Sequence, residues 1–393
     1  MTLAALRRGD LAGSRVLKLT EGLTEFPPEI FGLAETLEVL DLSGNQLSAL
    51  PADLGRLSRL RVFFGSGNCF QSLPPSLGCC GNLRQIGCRN AGITEVPAES
   101  LPPLLRWLTL TDNAIAGLPN TLGDRPALQK LLLAGNRLAA LPEGLAAAPN
   151  LELIRISANV FEIWPGWLAE IPTLAWVAVA GNPFAARRPA ASHRAIAWSS
   201  LSGEAVLGQG ASGVVHHMRW QEQPGQVAQS VAVKLFKGAM TSDGIAADEM
   251  AAMLAAGAHP NLTAPLGVVA GHPAGTDGLV MPLLPEAWRA LAAPPSSESC
   301  TRDVYDPRLR LNLSAGLRLA RGAADALRHL HVQGLAHGDL YAHNLLWDGD
   351  TGDCVVSDFG AAGFCPVGAE PTTLQRVEVR AWGILAAEIA ARC

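Results

Sequence analysis

Apolar residues in the first half of the chain recur at a fixed spacing. The pattern L-x-x-L-x-L-x-x-N-x-L-x-x-L-P begins seven times, and successive starts lie 22 or 23 residues apart. The starts are Leu37, Leu60, Leu83, Leu105, Leu128, Leu151 and Leu174. This period predicts a solenoid in which each repeat contributes one short strand, followed by an arc that turns the chain back, with the leucines stacked inside.

One polar position of the pattern is asparagine in six of the seven copies, at Asn45, Asn68, Asn113, Asn136, Asn159 and Asn182. An asparagine amide can bond backbone groups that a turn leaves unpaired, so we expect these side chains to stack into a ladder. The copy that begins at Leu83 has Ala91 at this position. A looser copy at residues 17–27 predicts an N-terminal cap.

Strand positions that do not enter the core are expected to face the concave side of the solenoid. Among them are aromatic and basic residues, namely Phe64, Trp107, Lys130, Arg155 and Trp176. Such residues are favoured anchors in protein interfaces, which predicts a surface for a protein partner. Two alternatives stay open: some of these residues pack against a second domain, or they are ordinary scattered surface residues.

The repeats resemble the leucine-rich-repeat family, of the kind that carries L-P and is common in bacteria, over residues 15–188. The resemblance implies an α/β leucine-rich-repeat solenoid that binds a partner and is not itself a catalyst. We therefore expect a solenoid of seven repeats plus cap at residues 1–188, a linker at residues 189–200 and a second domain at residues 201–393.

The second half opens with a glycine-rich string. It reads Leu207-Gly208-Gln209-Gly210-Ala211-Ser212-Gly213-Val214-Val215. Backbone without side chains can fold over nucleotide phosphates, with Val215 covering the adenine, although this string alone is weak support. The apolar residues that follow favour a strand, and therefore a hairpin over a ligand, rather than the helix of a dinucleotide-binding fold.

An apolar strand, Val231–Lys234, follows the glycine-rich string and ends in one of only four lysines of the chain. The strand resembles the one at whose end protein kinases place the lysine that grips nucleotide phosphates, and this resemblance implies that role for Lys234. A helical stretch at residues 245–254 contains Asp248 and Glu249. Either carboxylate could orient Lys234. We favour Glu249 over Asp248, because Glu249 has the more suitable spacing to His259-Pro260.

Two further motifs follow in order. The first is His337-Gly338-Asp339-Leu340-Tyr341-Ala342-His343-Asn344, and the second is Asp358-Phe359-Gly360. The D-x-x-x-x-N spacing lets one loop present Asp339 to a substrate hydroxyl while Asn344 holds a magnesium ion, and Asp358 binds the magnesium that bridges the phosphates. We expect His337 to be a packed core residue rather than an acid or base, and His343 to be an exposed loop residue.

These motifs resemble the protein-kinase superfamily over residues 198–393, and the whole chain is similar to bacterial leucine-rich-repeat protein kinases. The resemblance implies an α+β bilobal domain that uses ATP and Mg²⁺. It places nucleotide contacts at Leu207, Gly208, Gly210, Gly213, Val215, Ala232, Lys234 and Met281, metal ligands at Asn344 and Asp358, and the catalytic residues at Asp339, Lys234 and Glu249.

The chain departs from the kinase pattern at several positions. Gly338 stands where kinases carry the arginine that receives a phosphorylated activation loop, and Tyr341 stands in place of a lysine. Only 17 residues separate Gly360 from Glu378, where the sequence predicts the start of a large central helix, and Glu378 replaces an aspartate. The chain ends within that helix. These departures predict an incomplete C-terminal lobe, no switching by loop phosphorylation and a missing peptide groove.

The leading hypothesis is an ATP- and Mg²⁺-dependent kinase of protein serine and threonine hydroxyls, with the repeats recruiting a protein substrate or partner. One alternative is a pseudokinase scaffold, which the short activation segment motivates. Another is a small-molecule phosphotransferase, because the H-G-D form resembles aminoglycoside and choline kinases.

Composition narrows the classes of partner. The net charge of −5 argues against nucleic acid as the main partner. The sequence contains no run of 18 apolar residues, so we expect no membrane-spanning helix. The eight cysteines show no zinc-type spacing and fit free thiols of a reducing cytosol, so we expect a cytoplasmic protein.

Overall fold

The repeated leucines form the interior of the first of two units. The computed structural model describes residues 1–185, 193–223, 225–238, 240–366 and 372–393, without the side chains of residues 204 and 372. It divides the chain into a unit of residues 1–174 and a unit of residues 175–393. The predicted solenoid end at residue 188 rests on the sequence pattern, and residues 189–192 of the predicted linker lie outside the described residues.

The first unit contains seven parallel strands that pair in chain order, each with its successor one repeat later. After helix α1 (Leu3–Arg7), the strands are β1 (Val16–Lys18), β2 (Val39–Asp41), β3 (Val62–Phe64), β4 (Gln85–Gly87), β5 (Trp107–Thr109), β6 (Lys130–Leu132) and β7 (Leu153–Arg155). The middle residue of each strand is fully buried, because it points into the coil.

Short 3₁₀ turns form the arcs between these strands. They span Pro28–Leu33, Leu54–Arg56, Pro75–Cys79, Ala98–Ser100, Asn120–Asp124, Glu143–Ala147 and Gly166–Glu170. Most of them follow directly on the L-P of the pattern or include its proline, which suits a turn start because proline has no N–H to leave unpaired there.

The asparagine ladder is confirmed for the five asparagines of the first unit, whereas Asn182 donates to the Val179 carbonyl of its own repeat. Asn136 donates from Nδ2 to the carbonyls of Leu110 and Leu133, both at 2.9 Å, and accepts the Ile115 N–H at 3.1 Å. Asn45, Asn68, Asn113 and Asn159 likewise bond backbone groups of their own repeat and of the preceding one. Each buried amide therefore satisfies backbone groups that the turn leaves without a partner.

The Asn136→Ala substitution is expected to destabilise the first unit by about 3 kcal/mol, because it removes three buried hydrogen bonds. Asn150→Ala is the matched control, since the exposed Asn150 amide makes one bond, to the Pro126 carbonyl. That change should cost below about 1 kcal/mol. Urea unfolding of the full chain compares the two midpoints, and equal shifts would contradict the role of the ladder.

The second unit begins with a strand of the last repeat, β8 (Trp176–Ala178), and continues with β9 (Ala195–Ala197). A mixed six-stranded sheet follows in the order β10-β11-β12-β14-β13-β9. Its members are β10 (Leu201–Gln209), β11 (Gly213–Trp220), β12 (Gln229–Phe236), β13 (Gly267–Ala270) and β14 (Gly278–Pro282), all antiparallel except for the parallel pair β13–β9. Helix α2 (Ala246–Ala256) lies between β12 and β13 in sequence.

The remainder of the second unit is built on two long helices, α3 (Leu313–Val332) and α4 (Thr372–Ala390), which pack together. Asn312 caps α3 by accepting the Ala315 N–H at 2.8 Å. Two small antiparallel sheets complete this part of the second unit. They consist of β15 (Arg289–Ala290), β17 (Leu345–Trp347) and β18 (Cys354–Val356), and of β16 (Leu335–Ala336) with β19 (Gly363–Phe364).

The predicted fold class is confirmed: a solenoid with a parallel sheet precedes an α+β unit with a mixed sheet. No helix among the described residues is long and apolar enough to cross a bilayer.

The expected start of the last helix at Glu378 is wrong, because α4 is already helical at Thr372. Its buried side chains extend the helical spacing toward the N-terminus, at Leu374, Val377, Ala381, Leu385 and Ile389.

Candidate active site

A cleft of about 730 Å³ opens in the second unit beneath the β10–β11 hairpin. It brings together most of the residues that the sequence analysis selected: Leu207, Gly208, Gly210, Gly213, Val215, Ala232, Lys234, Glu249, Met281 and Asp358 all line it. Asp339 and Asn344 are not among the lining residues. The cleft has the size of a small-molecule site with a mainly apolar wall and a few charged groups.

The glycine-rich string forms the turn of the hairpin, as predicted. Gly213 has to be glycine, because a Cβ atom there would lie 2.6 Å from the Leu235 carbonyl oxygen. Gly208 and Gly210 have no protein atom within 4 Å of the equivalent position, so the space beside their backbone is open to a ligand. Lys237 steadies the turn by donating from Nζ to the Gly210 carbonyl at 3.0 Å.

Strand register places apolar residues on the cleft wall next to Lys234. Ala232 on β12 lies directly opposite Met281 on β14, and Val215 on β11 lies opposite Lys234. Ala232 and Met281 are buried, so that a flat apolar ligand can contact them from the cleft.

Lys234 and Glu249 form an ion pair at the floor of the cleft. The Glu249 side chain is 1% exposed and that of Lys234 is 13% exposed. Burial raises the pKa of Glu249, the Lys234 ammonium acts against this rise, and the charge of Asp358 adds to it. The pair holds the lysine at one place in the cleft, in a site from which water is largely excluded.

The residues of the loop 337–344 hold Asp339 by hydrogen bonds. Asn344 donates from Nδ2 to the Asp339 carbonyl and to Oδ2 of its carboxylate, both at 2.9 Å. The buried His337 ring is within 3.1 Å of the Ser357 carbonyl and accepts the Asp339 N–H through Nδ1 at 3.3 Å. The bonds to the carbonyl and to the N–H of Asp339 fix the backbone on either side of its carboxylate.

Asp358 follows strand β18 and has a left-handed backbone, with φ of 60°. Its Oδ1 accepts the Gly360 N–H at 3.0 Å, which stabilises this turn. The side chain is exposed and lines the cleft. An exposed carboxylate beside a buried ion pair gives this end of the cleft a negative charge that suits a cation.

Two family models match the chain. Residues 201–374 match the model of protein tyrosine and serine/threonine kinases, and residues 36–57 match that of the leucine rich repeat. The chain contains leucine-rich repeats and a protein kinase domain.

Similar individual proteins cover the chain only in part. The sequence is 48% identical to CBL-interacting protein kinase 4 of Oryza sativa subsp. japonica over 56 residues, which are 14% of this chain and 12% of that protein. A solved leucine-rich-repeat protein of Leptospira interrogans is 27% identical, with a TM-score of 0.42, over 45% of this chain and 46% of its own. The matches therefore span less than half the length of these relatives.

Glu378 connects helix α4 of the second unit to the loop 337–344. Its buried carboxylate accepts the Gly338 N–H through Oε1 at 2.6 Å and lies 2.6 Å from the Nε2 of His331. The sequence marks Glu378 as a helix start and as the replacement of an aspartate, but it does not reveal these contacts, because they join segments 40 residues apart.

His343 is a second residue whose environment the sequence did not reveal. The expectation that it is exposed is wrong, since its side chain is 20% exposed. The ring Nδ1 of His343 lies 2.7 Å from Oδ1 of Asp303, and the backbone N–H of His343 donates to Oδ2 of Asp303 at 3.0 Å. Burial lowers the pKa of His343, but the Asp303 carboxylate outweighs this and, with the charges of Asp339 and Asp358, raises it above its usual value.

The five residues predicted to bind a partner divide into two groups. Phe64, Trp107 and Lys130 are half-buried, and the Lys130 ammonium lies 4.1 Å from the centre of the Trp107 ring. Arg155 and Trp176 are buried, so the expectation that they are exposed is wrong. Trp176 fits the alternative of packing in the second domain, since its ring packs on Tyr341 inside the second unit.

Proposed function

We propose that the chain is an ATP- and Mg²⁺-dependent protein kinase that phosphorylates serine and threonine hydroxyls, with the repeats recruiting a protein partner or substrate. The observation that carries this proposal is the Lys234–Glu249 ion pair beside Asp358, under the glycine-rich hairpin of one cleft. A fixed cation beneath open backbone is the arrangement that a nucleotide polyphosphate requires.

The nucleotide would lie in the cleft with its phosphates toward Lys234. The ammonium would bind the α- and β-phosphates, and the backbone of Gly208, Gly210 and Gly213 would cover them. The adenine would lie against an apolar wall of the cleft formed by Leu207, Val215, Ala232 and Met281. Glu249 keeps Lys234 in place, because a buried carboxylate holds an ammonium by a charge-assisted hydrogen bond.

Asn344 and Asp358 are suited to a divalent metal ion. Both Asn344 bonds to Asp339 come from its Nδ2, which leaves the amide oxygen as a ligand atom, and the Asp358 carboxylate is exposed. Oxygen ligands of this kind are those that Mg²⁺ prefers. When bound, the ion would neutralise charge on the phosphate oxygens.

Asp339 would orient the acceptor and take its proton. The Asn344 amide orients the Asp339 carboxylate through Oδ2, and this carboxylate would accept the hydrogen bond of a serine or threonine hydroxyl. The hydroxyl oxygen forms a bond to the γ-phosphorus as the bond to the β–γ bridging oxygen breaks. The proton passes to Asp339, and ADP leaves.

The partner surface that we propose consists of Phe64, Trp107 and Lys130. An aromatic ring with a cation above it gives an interface both an apolar contact and a charge. Such a surface would raise the local concentration of a protein substrate near the kinase domain. We expect Trp107→Ala to leave transfer to a generic acceptor unchanged and to weaken transfer to the native partner.

The test of the proposal is transfer of labelled γ-phosphate from ATP to the protein itself and to generic acceptors, with Mg²⁺ and with chelator, followed by phosphoamino-acid analysis. We expect phosphoserine and phosphothreonine, formed only with the metal and not by the Asp339→Asn variant. Transfer to metabolites alone would indicate a small-molecule phosphotransferase. Nucleotide binding without any transfer would indicate a pseudokinase scaffold, and either result would overturn the proposal.

A further inference from the structure

Strand β8 begins two residues after Leu174, the start of the last repeat. It lies against the loop that contains Asp339. Trp176 is 1% exposed, and its indole N–H donates to the Leu340 carbonyl at 2.9 Å. Its ring stacks on Tyr341, with 4.3 Å between centroids and 6° between planes. The Arg302 guanidinium lies 5.2 Å from the same ring. The two residues that follow Asp339 are therefore both held by one tryptophan.

The backbone of β8 is equally close to the residue before Asp339. Gly338 has φ of 74°, and a Cβ atom there would lie 2.6 Å from the carbonyl oxygens of both Val177 and Ala361. Any larger residue at 338 would displace the strand or the loop. Further along, a Cβ atom on Gly363 would come within 3.4 Å of the Ala180 N atom.

We propose that Trp176 is a positioning residue for phosphoryl transfer and that the kinase domain needs β8 to hold the loop that carries Asp339. The inference rests on the function proposed above. The Leu340 carbonyl and the Tyr341 ring lie directly beyond Asp339 in the loop, so that holding them fixes the carboxylate relative to the cleft. A displacement of about 1 Å at a catalytic group can cost about a hundredfold in rate.

The contact with β8 involves two positions at which the chain departs from the kinase pattern. Gly338 stands in place of an arginine, and the carbonyls of Val177 in β8 and of Ala361 leave no room for a side chain there. Tyr341 replaces a lysine, and its ring is the surface on which Trp176 stacks. The loop is thus braced by a strand of the last repeat, at the positions where an arginine and a lysine would otherwise act.

The experiment compares Trp176→Phe with Trp382→Phe in the full chain. Trp382 is a matched control, because its indole N–H also donates to a backbone carbonyl, that of Ala320, at 2.9 Å, and it lies in the same unit on α4. Trp176→Phe keeps an aromatic ring that can stack on Tyr341 but loses the N–H bond and part of the buried ring, and as the milder change it is expected to fold. Trp176→Ala removes both contacts and extends the series.

We expect Trp176→Phe to lower kcat by about tenfold, to leave KM for ATP unchanged and to retain nucleotide affinity, with a larger fall in Trp176→Ala. Trp382→Phe should leave kcat within about twofold at a comparable loss of thermal stability. Equal kcat values in Trp176→Phe and Trp382→Phe would overturn the positioning role.

Hydrogen exchange separates this inference from the proposed function. We expect Trp176→Phe to speed exchange of the amides at residues 338–344, and Trp382→Phe to leave them unchanged. If the wild type transfers no phosphate, the proposed function fails. The bracing of the loop by β8 is then judged by exchange alone, and unaltered exchange in Trp176→Phe would overturn it.

Discussion

The Asp339→Asn variant is expected to transfer phosphate about a thousandfold more slowly than the wild type while binding nucleotide equally well. The amide has almost the same shape as the carboxylate, so that the loop 337–344 keeps its other contacts to Asn344 and His337. It can no longer accept the proton of the acceptor hydroxyl. Initial rates with a protein acceptor, together with a nucleotide titration, measure the two quantities separately.

Asp325→Asn provides the control for this variant. Asp325 lies on helix α3, partly exposed, and pairs with Arg321 and Arg328 at distances of 3.7 and 3.8 Å. Exposed ion pairs of this kind contribute little to stability, and the residue does not line the cleft. Both rate and affinity should stay at wild-type values. Loss of nucleotide affinity in Asp339→Asn would show that its effect is on binding and would contradict the role proposed for Asp339.

The features that could be predicted from the sequence are those that local pattern determines. The solenoid follows from leucines and asparagines at a fixed period, and each repeat makes the same contacts to its neighbour. The cleft follows from short motifs whose residues lie on adjacent strands. Ala232 and Met281 are far apart in the chain, but both occupy predictable positions on strands of one sheet.

The features that the sequence did not reveal depend on contacts between distant segments. Trp176 has the pattern of an exposed strand position, and the sequence left open whether it packs against a second domain; the packing of residues 175–393 is what places it on Tyr341. His343 has the pattern of an exposed loop residue. It is largely buried beside Asp303, which lies 40 positions earlier in the chain. The pattern of apolar and polar positions along one sequence does not show which distant residues will be in contact.

Removal of the lysine at the floor of the cleft is expected to affect stability and transfer together. Lys234→Met leaves the Glu249 carboxylate buried without its cation, which costs about 3 kcal/mol of folding stability. Transfer should fall about a hundredfold, because the phosphates lose their fixed charge. The double variant Lys234→Met/Glu249→Gln removes the unpaired charge, so we expect it to recover most of the stability and none of the transfer.

The pH dependence of stability distinguishes a buried charge from lost packing. The folded-state pKa of Glu249 is already raised by burial, and the loss of Lys234 raises it further. The cost of the unpaired carboxylate is therefore absent below its unfolded pKa, near 4.5, and grows as the pH rises through the folded value. Thermal unfolding of Lys234→Met and of the double variant should diverge with rising pH. A constant difference between them from pH 5 to pH 8 would show that the unpaired Glu249 binds no more protons in the folded chain than in the unfolded one. Its burial would then not raise its pKa in Lys234→Met, and the lost stability would have another cause than an unpaired buried charge.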